Sequence, residues 1–145
     1  MSKNYQPGPF HPASAMDYLP LSQLRDLQFQ RLRAMVQRAY DRVALFRQRM
    51  DAHSLRPADL VTLDDIAKLP FTVKTDLRDT YPFGLFASPL AEIVRFHAST
   101  GTTGKPIVVA YTQEDLDDWA QVMLRSFAAC GVHRGDIVHN AYGYG

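Results

Sequence analysis

The chain has 145 residues, 46% of them hydrophobic and 21% charged, with a formal net charge of +1. That length can bury a real core and predicts one domain, and so near-neutral a balance gives no reason to expect a nucleic acid or an acidic membrane as partner. A single cysteine, Cys130, excludes an internal disulfide and suits a reducing cytoplasm, no apolar run approaches the ~20 residues that span a bilayer, and the first ten residues lack the apolar region of a signal peptide.

Residues 1 to 20 carry Pro7, Pro9, Pro12 and Pro20 and read as an irregular arm. From about Ser22 a long amphipathic helical segment follows. Leu24, Leu32, Met35, Ala39, Val43, Phe46 and Met50 recur at the spacing of one helical face, while Arg25, Arg31, Arg33, Arg38, Arg42, Arg47 and Arg49 populate the rest. The basic face reads as solvated surface, with a coiled-coil partner or an anionic surface as the alternative. Thr62 with Asp65 forms a capping-box pattern opening a short helix that must end before Pro70, and Thr75-Asp76-Leu77-Arg78 starts another, closed by Tyr81-Pro82.

Ile93-Val94-Arg95-Phe96-His97 and Ile107-Val108-Val109-Ala110-Tyr111 are rich in β-branched and aromatic residues and read as two strands. Thr112 with Asp115 caps a longer helix whose expected buried stripe is Leu116, Trp119, Ala120, Met123, Phe127 and Cys130, with Gly131 as its stop. Gly135 to Ala141 reads as a turn feeding a buried strand, in which His139 is expected to be a core residue, before the terminal Tyr142-Gly143-Tyr144-Gly145. A chain finishing on an aromatic-glycine loop, with nothing to cover that strand's neighbours, is expected to be the N-terminal piece of a larger protein. The fold class expected is α/β: helices, then a β-loop-β hairpin, a helix and a strand.

The loop between the two strands carries the chemistry. Ser99-Thr100-Gly101-Thr102-Thr103-Gly104-Lys105 packs four hydroxyls, two glycines and one ammonium into seven residues. Glycines let backbone N–H groups converge on an anion, and charge-assisted hydrogen bonds of that kind contribute roughly 1.5 to 3 kcal/mol each. The pattern reads as a phosphate cradle, against the plainer reading of a structural Thr/Gly hairpin. It is not a Walker A loop: Ser99 and Thr100 leave no glycine where that motif needs one, Pro106 stands where it needs a Mg²⁺-binding hydroxyl, and a strand rather than a helix follows.

This arrangement resembles the adenylate-forming superfamily of acyl-CoA synthetases, luciferases and peptide-synthetase adenylation domains, whose signature loop is Ser/Thr-Gly-Ser/Thr-Thr-Gly-x-Pro. Within it, the string from Arg95 to Pro106 is similar to the phenylacetate–CoA ligase branch, as are Leu69 to Asp79, Tyr81-Pro82-Phe83-Gly84 and Asn140 to Gly145. Much of the superfamily carries its lysine just after the proline, where this chain has Ile107; Lys105 precedes the proline, as in the phenylacetate branch.

The resemblance implies that residues 21–145 are the N-terminal portion of an adenylate-forming domain. It also implies an ATP-dependent reaction of an aryl acid with CoA, in which phenylacetate becomes an acyl-adenylate and then a thioester. ATP, Mg²⁺ and CoA are the implied cofactors and co-substrates, and a small aryl acid is the implied partner, in the cytoplasm. Ser99, Thr100, Gly101, Thr102, Thr103, Gly104 and Lys105 are the implied nucleotide-binding residues, and Tyr142 and Gly143 line the acyl-substrate pocket. These 145 residues alone are expected to be inactive, and the core they expose offers a surface for oligomers. A noncatalytic helix-rich scaffold or anion-binding module is the alternative.

Two side chains stay open at this level. His97 either touches a phosphate or is packed and hydrogen-bonded, and Lys74 is either a helix-start surface lysine or part of the family-like string around it. The histidines and Cys130 show no metal-ligand spacing, so no metal-binding residues are assigned.

Overall fold

A computed structural model describes residues 12–99, 104 and 106–141. The predicted arm includes a 3₁₀ helix, Pro12–Tyr18, and the first long helix, α1, runs Leu21–Arg42. The single helical segment expected to continue to Met50 is broken. Val43 adopts extended backbone at φ −110° and ψ 105°, and a second helix, α2, runs Ala44–Ala52. Arg47 explains how the break is tolerated: its Nε donates to the Tyr40 carbonyl at 2.8 Å and its Nη2 to the Asp41 carbonyl at 2.5 Å. Carbonyls at the end of α1 thus receive a cationic donor, which also complements the negative end of the helix dipole.

The core sits in the angle between these two helices and the segment after them. Val36, Met50, Leu55 and Leu60 are buried together, with Leu32, Tyr40, Phe46 and Leu69 packed around them. The predicted stripe is right except at one place: Met35 is 67% exposed and its neighbour Val36 points inward. Heptad-like spacing fits either residue, and the packing of Met50 and Leu60 selects the smaller, β-branched one.

Thr62 and Asp65 open a helix as expected, although it is 3₁₀, Leu63–Lys68. The Asp65 carboxylate accepts the Thr62 N–H at 2.7 Å and the Val61 N–H at 2.8 Å, the acidic half of a capping box. The next helix, α3, is Lys74–Asp79. Beyond it the chain turns through Tyr81-Pro82-Phe83-Gly84, where the Gly84 N–H donates to the Thr80 carbonyl at 2.8 Å.

Strands β1 (Ile93–Ala98) and β2 (Val108–Thr112) form an antiparallel pair in the register Ala98↔Val108, His97↔Val109 and Phe96↔Ala110, with an irregularity between Ile93 and Arg95. Helix α4 (Gln113–Ala129) starts directly at the end of β2. Here the capping box is reciprocal: Thr112 N–H donates to the Asp115 carboxylate at 2.8 Å and Asp115 N–H to Thr112 Oγ1 at 3.2 Å. Gly131, at φ +78°, ends the helix as expected, with Val132 N–H returning to the Phe127 carbonyl at 3.0 Å.

Two expectations at this end of the chain fail. The α4 stripe is not buried: Trp119, Met123 and Phe127 are each more than two-fifths exposed, and Ala120 and Cys130 are exposed. Residues 135–141 form no strand, Ile137 is 99% exposed, and His139 is exposed rather than in the core. A strand needs a neighbouring strand for its backbone groups, and among the described residues the sheet consists of β1 and β2.

Candidate nucleotide-binding site

The hairpin positions the hydroxyl-rich loop by closing its neck. Beyond Ala98↔Val108 the ladder gains one more step at Ser99, whose N–H donates to the Ile107 carbonyl at 2.9 Å. The return bond is made by a side chain, since the Ile107 N–H donates to Ser99 Oγ at 2.9 Å. Ser99 and Ile107, which flank residues 100–106 in the sequence, are therefore joined by two hydrogen bonds. Proline at 106 has no N–H to offer, so the first donor available on the returning strand is Ile107, and it is satisfied.

Gly104 stands at φ +132°, a backbone region that side-chain-bearing residues rarely adopt, and a Cβ built there would meet nothing within 4 Å. The glycine is demanded by conformation, not by crowding. Of the seven residues read as nucleotide-binding, Ser99 and Gly104 are thus placed; Thr100, Gly101, Thr102, Thr103 and Lys105 lie outside the described residues, as do Tyr142 and Gly143 of the expected acyl pocket.

Behind the neck, the two faces of β1 carry two aromatic groups. Phe96 meets Phe83 and Phe86 at ring-centroid distances of 6.0 and 6.3 Å, with Phe83 and Phe86 5.2 Å apart. His97 points the other way and makes edge contacts with Tyr111 at 5.1 Å and Trp119 at 6.0 Å, which brings α4 against the hairpin. Of the two readings open for His97, packing is the one its described contacts support. Such aromatic contacts add roughly 0.5 to 1.5 kcal/mol per pair beyond area burial and brace the base of the loop.

The string from Phe71 to Asp76 is held by a residue that sequence reasoning placed only on a solvated basic face. Arg49 donates through Nη1 and Nη2 to the two Asp76 carboxylate oxygens at 2.6 and 2.7 Å, and through Nη1 to the Phe71 carbonyl at 2.7 Å. Asp76 also accepts the Val73 N–H at 2.7 Å. These contacts hold its carboxyl below the usual range, the Arg49 guanidinium first and the Val73 amide second, against the opposing effect of desolvation. Lys74 itself is exposed at the first position of α3, the surface placement. Among the described residues no group of three His, Cys, Asp or Glu side chains gathers to hold a metal, and no helix is long and apolar enough to cross a membrane.

The fold is that of CoA ligases of the adenylate-forming type. A crystal structure of 2-hydroxyisobutyryl-CoA ligase in complex with 2-HIB-AMP and CoA matches with a TM-score of 0.76 and 26% identity, over 92% of this chain and 30% of that one. The same enzyme in its postadenylation state, with 2-HIB-AMP, matches at 0.76 and 24% identity.

At the level of sequence the similarity is more particular. The phenylacetate–coenzyme A ligase of Pseudomonas putida is 53% identical over 130 residues, 90% of this chain. That of Aromatoleum evansii is 50% identical over 143 residues, and that of Thermus thermophilus 51% over 130. The resemblance to phenylacetate–CoA ligase read from the loop and its flanking strings is borne out. The chain spans about 30% of the length of these relatives. No family model matches.

Proposed function

We propose that this chain supplies the phosphate-binding part of an AMP-forming aryl-acid–CoA ligase, with phenylacetate as the acid. The observation that carries the reading is the coincidence of a loop rich in hydroxyls and glycine, closed at its neck by Ser99 and Ile107, with about 50% identity to phenylacetate–CoA ligases across nine-tenths of the chain.

The chemistry required is activation of a carboxylate, whose oxygen is too poor a leaving group for a thiol to displace. The carboxylate attacks the α-phosphate of ATP, giving acyl-adenylate and pyrophosphate; the CoA thiol then attacks the acyl carbon and AMP leaves. Charge develops on the departing pyrophosphate in the first step. Backbone N–H groups and the hydroxyls of Ser99, Thr100, Thr102 and Thr103, with the Lys105 ammonium, would stabilise it where it forms.

The donor set suits phosphates: hydroxyls, glycine amides and one ammonium lie together in sequence, and Ser99 and Ile107 hold the two ends of that stretch together. Mg²⁺, a hard cation that takes oxygen ligands, would share the phosphate charge. Tyr142 and Gly143 would line the aryl pocket, where a flat ring gains from edge-to-face contact. Location in the cytoplasm accords with the single cysteine.

Positioning both reactants supplies a large part of any barrier reduction, and about 70% of each relative has no counterpart in these 145 residues. The isolated chain is therefore inactive on this reading, although local backbone donors still bind pyrophosphate weakly. The test is a chimera in which these residues replace the matching stretch of the Pseudomonas putida relative, assayed for AMP and phenylacetyl-CoA. Turnover near that of the parent supports the reading; a folded chimera that makes no acyl-adenylate counts against it, and multiple turnover by the 145 residues alone would show that the boundary or the chemistry is misread.

A further inference from the structure

Ser99 is one of four hydroxyls that sequence reasoning treats alike, as donors to a phosphate. Its geometry gives it a partner within the chain. The Oγ atom lies 2.9 Å from the Ile107 nitrogen and accepts that N–H, while the Ser99 N–H donates to the Ile107 carbonyl at the same distance. A side chain has taken over the place that a main-chain carbonyl would hold in a regular ladder. We infer that Ser99 is a positioning residue: its hydroxyl latches Ser99 to Ile107 and so holds together the two ends of the segment on which the phosphate reading rests.

The physical case rests on loop closure. Seven residues separate Ser99 from Ile107, and holding the two ends of such a segment together costs conformational entropy that the two Ser99–Ile107 hydrogen bonds partly offset. The last regular ladder pair is Ala98↔Val108. Beyond it, among the described residues, one main-chain bond and one side-chain bond hold the two ends together, and Pro106 cannot donate another because it has no N–H. Removing the Oγ leaves the Ile107 amide without this partner, and the returning strand frays from Ile107 toward Pro106. A loop ordered before its ligand arrives binds more tightly, because the ordering has already been met. The same hydroxyl accepts at its oxygen and keeps its own hydrogen, so the latch does not preclude a donor role toward the loop interior.

This inference rests on the phosphate reading for its functional half and on geometry alone for its structural half, and the experiment reads the two separately. Amide hydrogen exchange is followed by NMR in the 145-residue chain and in Ser99→Ala and Ser99→Thr, with the Met50 amide in the buried core as a control for folding. Binding of Mg-pyrophosphate is measured in parallel by calorimetry. In Ser99→Ala, Ile107 should exchange about tenfold faster without ligand and pyrophosphate should bind about fivefold more weakly, consistent with loss of one hydrogen bond, while Met50 is unchanged. Ser99→Thr, which keeps a hydroxyl on Cβ, should restore both.

An Ile107 exchange rate that ignores Ser99→Ala would overturn the latch, since a hydroxyl acting only on phosphate leaves that amide protected. Faster exchange with unaltered pyrophosphate affinity would overturn its positioning role. Absence of pyrophosphate binding in the unsubstituted chain, with exchange still governed by Ser99, would sink the phosphate reading and the positioning role together.

Discussion

Arg49 on α2 and Asp76 on α3 form a two-pronged ion pair, with nitrogen–oxygen distances of 2.6 and 2.7 Å across 27 residues of sequence. The Asp76 side chain is 10% exposed and that of Arg49 31%. Because Arg49 also holds the Phe71 carbonyl and Asp76 the Val73 amide, this one pair fixes the path of the whole family-like string from Phe71 to Asp76. Planar guanidinium geometry is what makes it possible; a lysine offers a point charge and no fork.

Substituting Asp76→Asn should therefore lower the melting temperature by more than about 5 °C, because it leaves Arg49 half-covered and short of its counter-charge. Arg49→Lys should recover only part of the loss when compared with Arg49→Met. Thermal unfolding followed by circular dichroism checks both, and an unchanged midpoint in Asp76→Asn would remove the pair from the list of fold determinants.

Acid sensitivity follows from two carboxylates. Asp65 is held well below its ordinary value of 3.8, first by Lys68 and then by the Thr62 and Val61 amides, and Asp76 is lowered chiefly by Arg49. A carboxyl whose pKa is lower folded than unfolded contributes stability that is complete above the unfolded value and is lost as pH falls through the folded one. Stability should thus be flat from neutral pH to about 5 and decline steadily below about 4. Asp65→Asn and Asp76→Asn should each start lower and show a shallower decline; parallel curves for variant and unsubstituted chain would contradict the assignment.

Gly84 is irreplaceable for a reason of space. A Cβ at that position would stand 2.8 Å from both Thr80 Cβ and the Thr80 carbonyl oxygen, distances that force the backbone to move. Gly84→Ala should cost on the order of 1–3 kcal/mol in denaturant unfolding. Gly104→Ala, with open space but φ +132°, should instead disturb the loop and its pyrophosphate affinity more than global stability.

Local chemistry was legible in the sequence, and long-range chemistry was not. The capping pairs Thr62/Asp65 and Thr112/Asp115, the Gly131 stop and the two strands follow from residue type at fixed short spacing, and the structure contains them. The Arg49–Asp76 fork escaped because nothing in a helical periodicity says which of seven arginines meets a carboxylate in another element. The break at Val43 escaped for a similar reason: both helices present apolar residues toward one core, so the periodicity runs across the interruption. At the loop, residue types pointed to phosphate, while the distinct place of Ser99 depends on register, which only pairing of the strands sets. The α4 stripe was read correctly as apolar and incorrectly as covered, since coverage is a property of what lies opposite.

The most direct test of the phosphate role is phenylacetate-dependent ATP–pyrophosphate exchange in the chimeric ligase carrying Thr102→Ala with Thr103→Ala, or Lys105→Met, set beside the melting temperature of each. Exchange should fall by about a hundredfold in either variant, the scale on which loss of a transition-state donor acts, with the midpoint shifted by no more than about 2 °C. Unchanged exchange in both variants would contradict the assignment of residues 99–105 to phosphate.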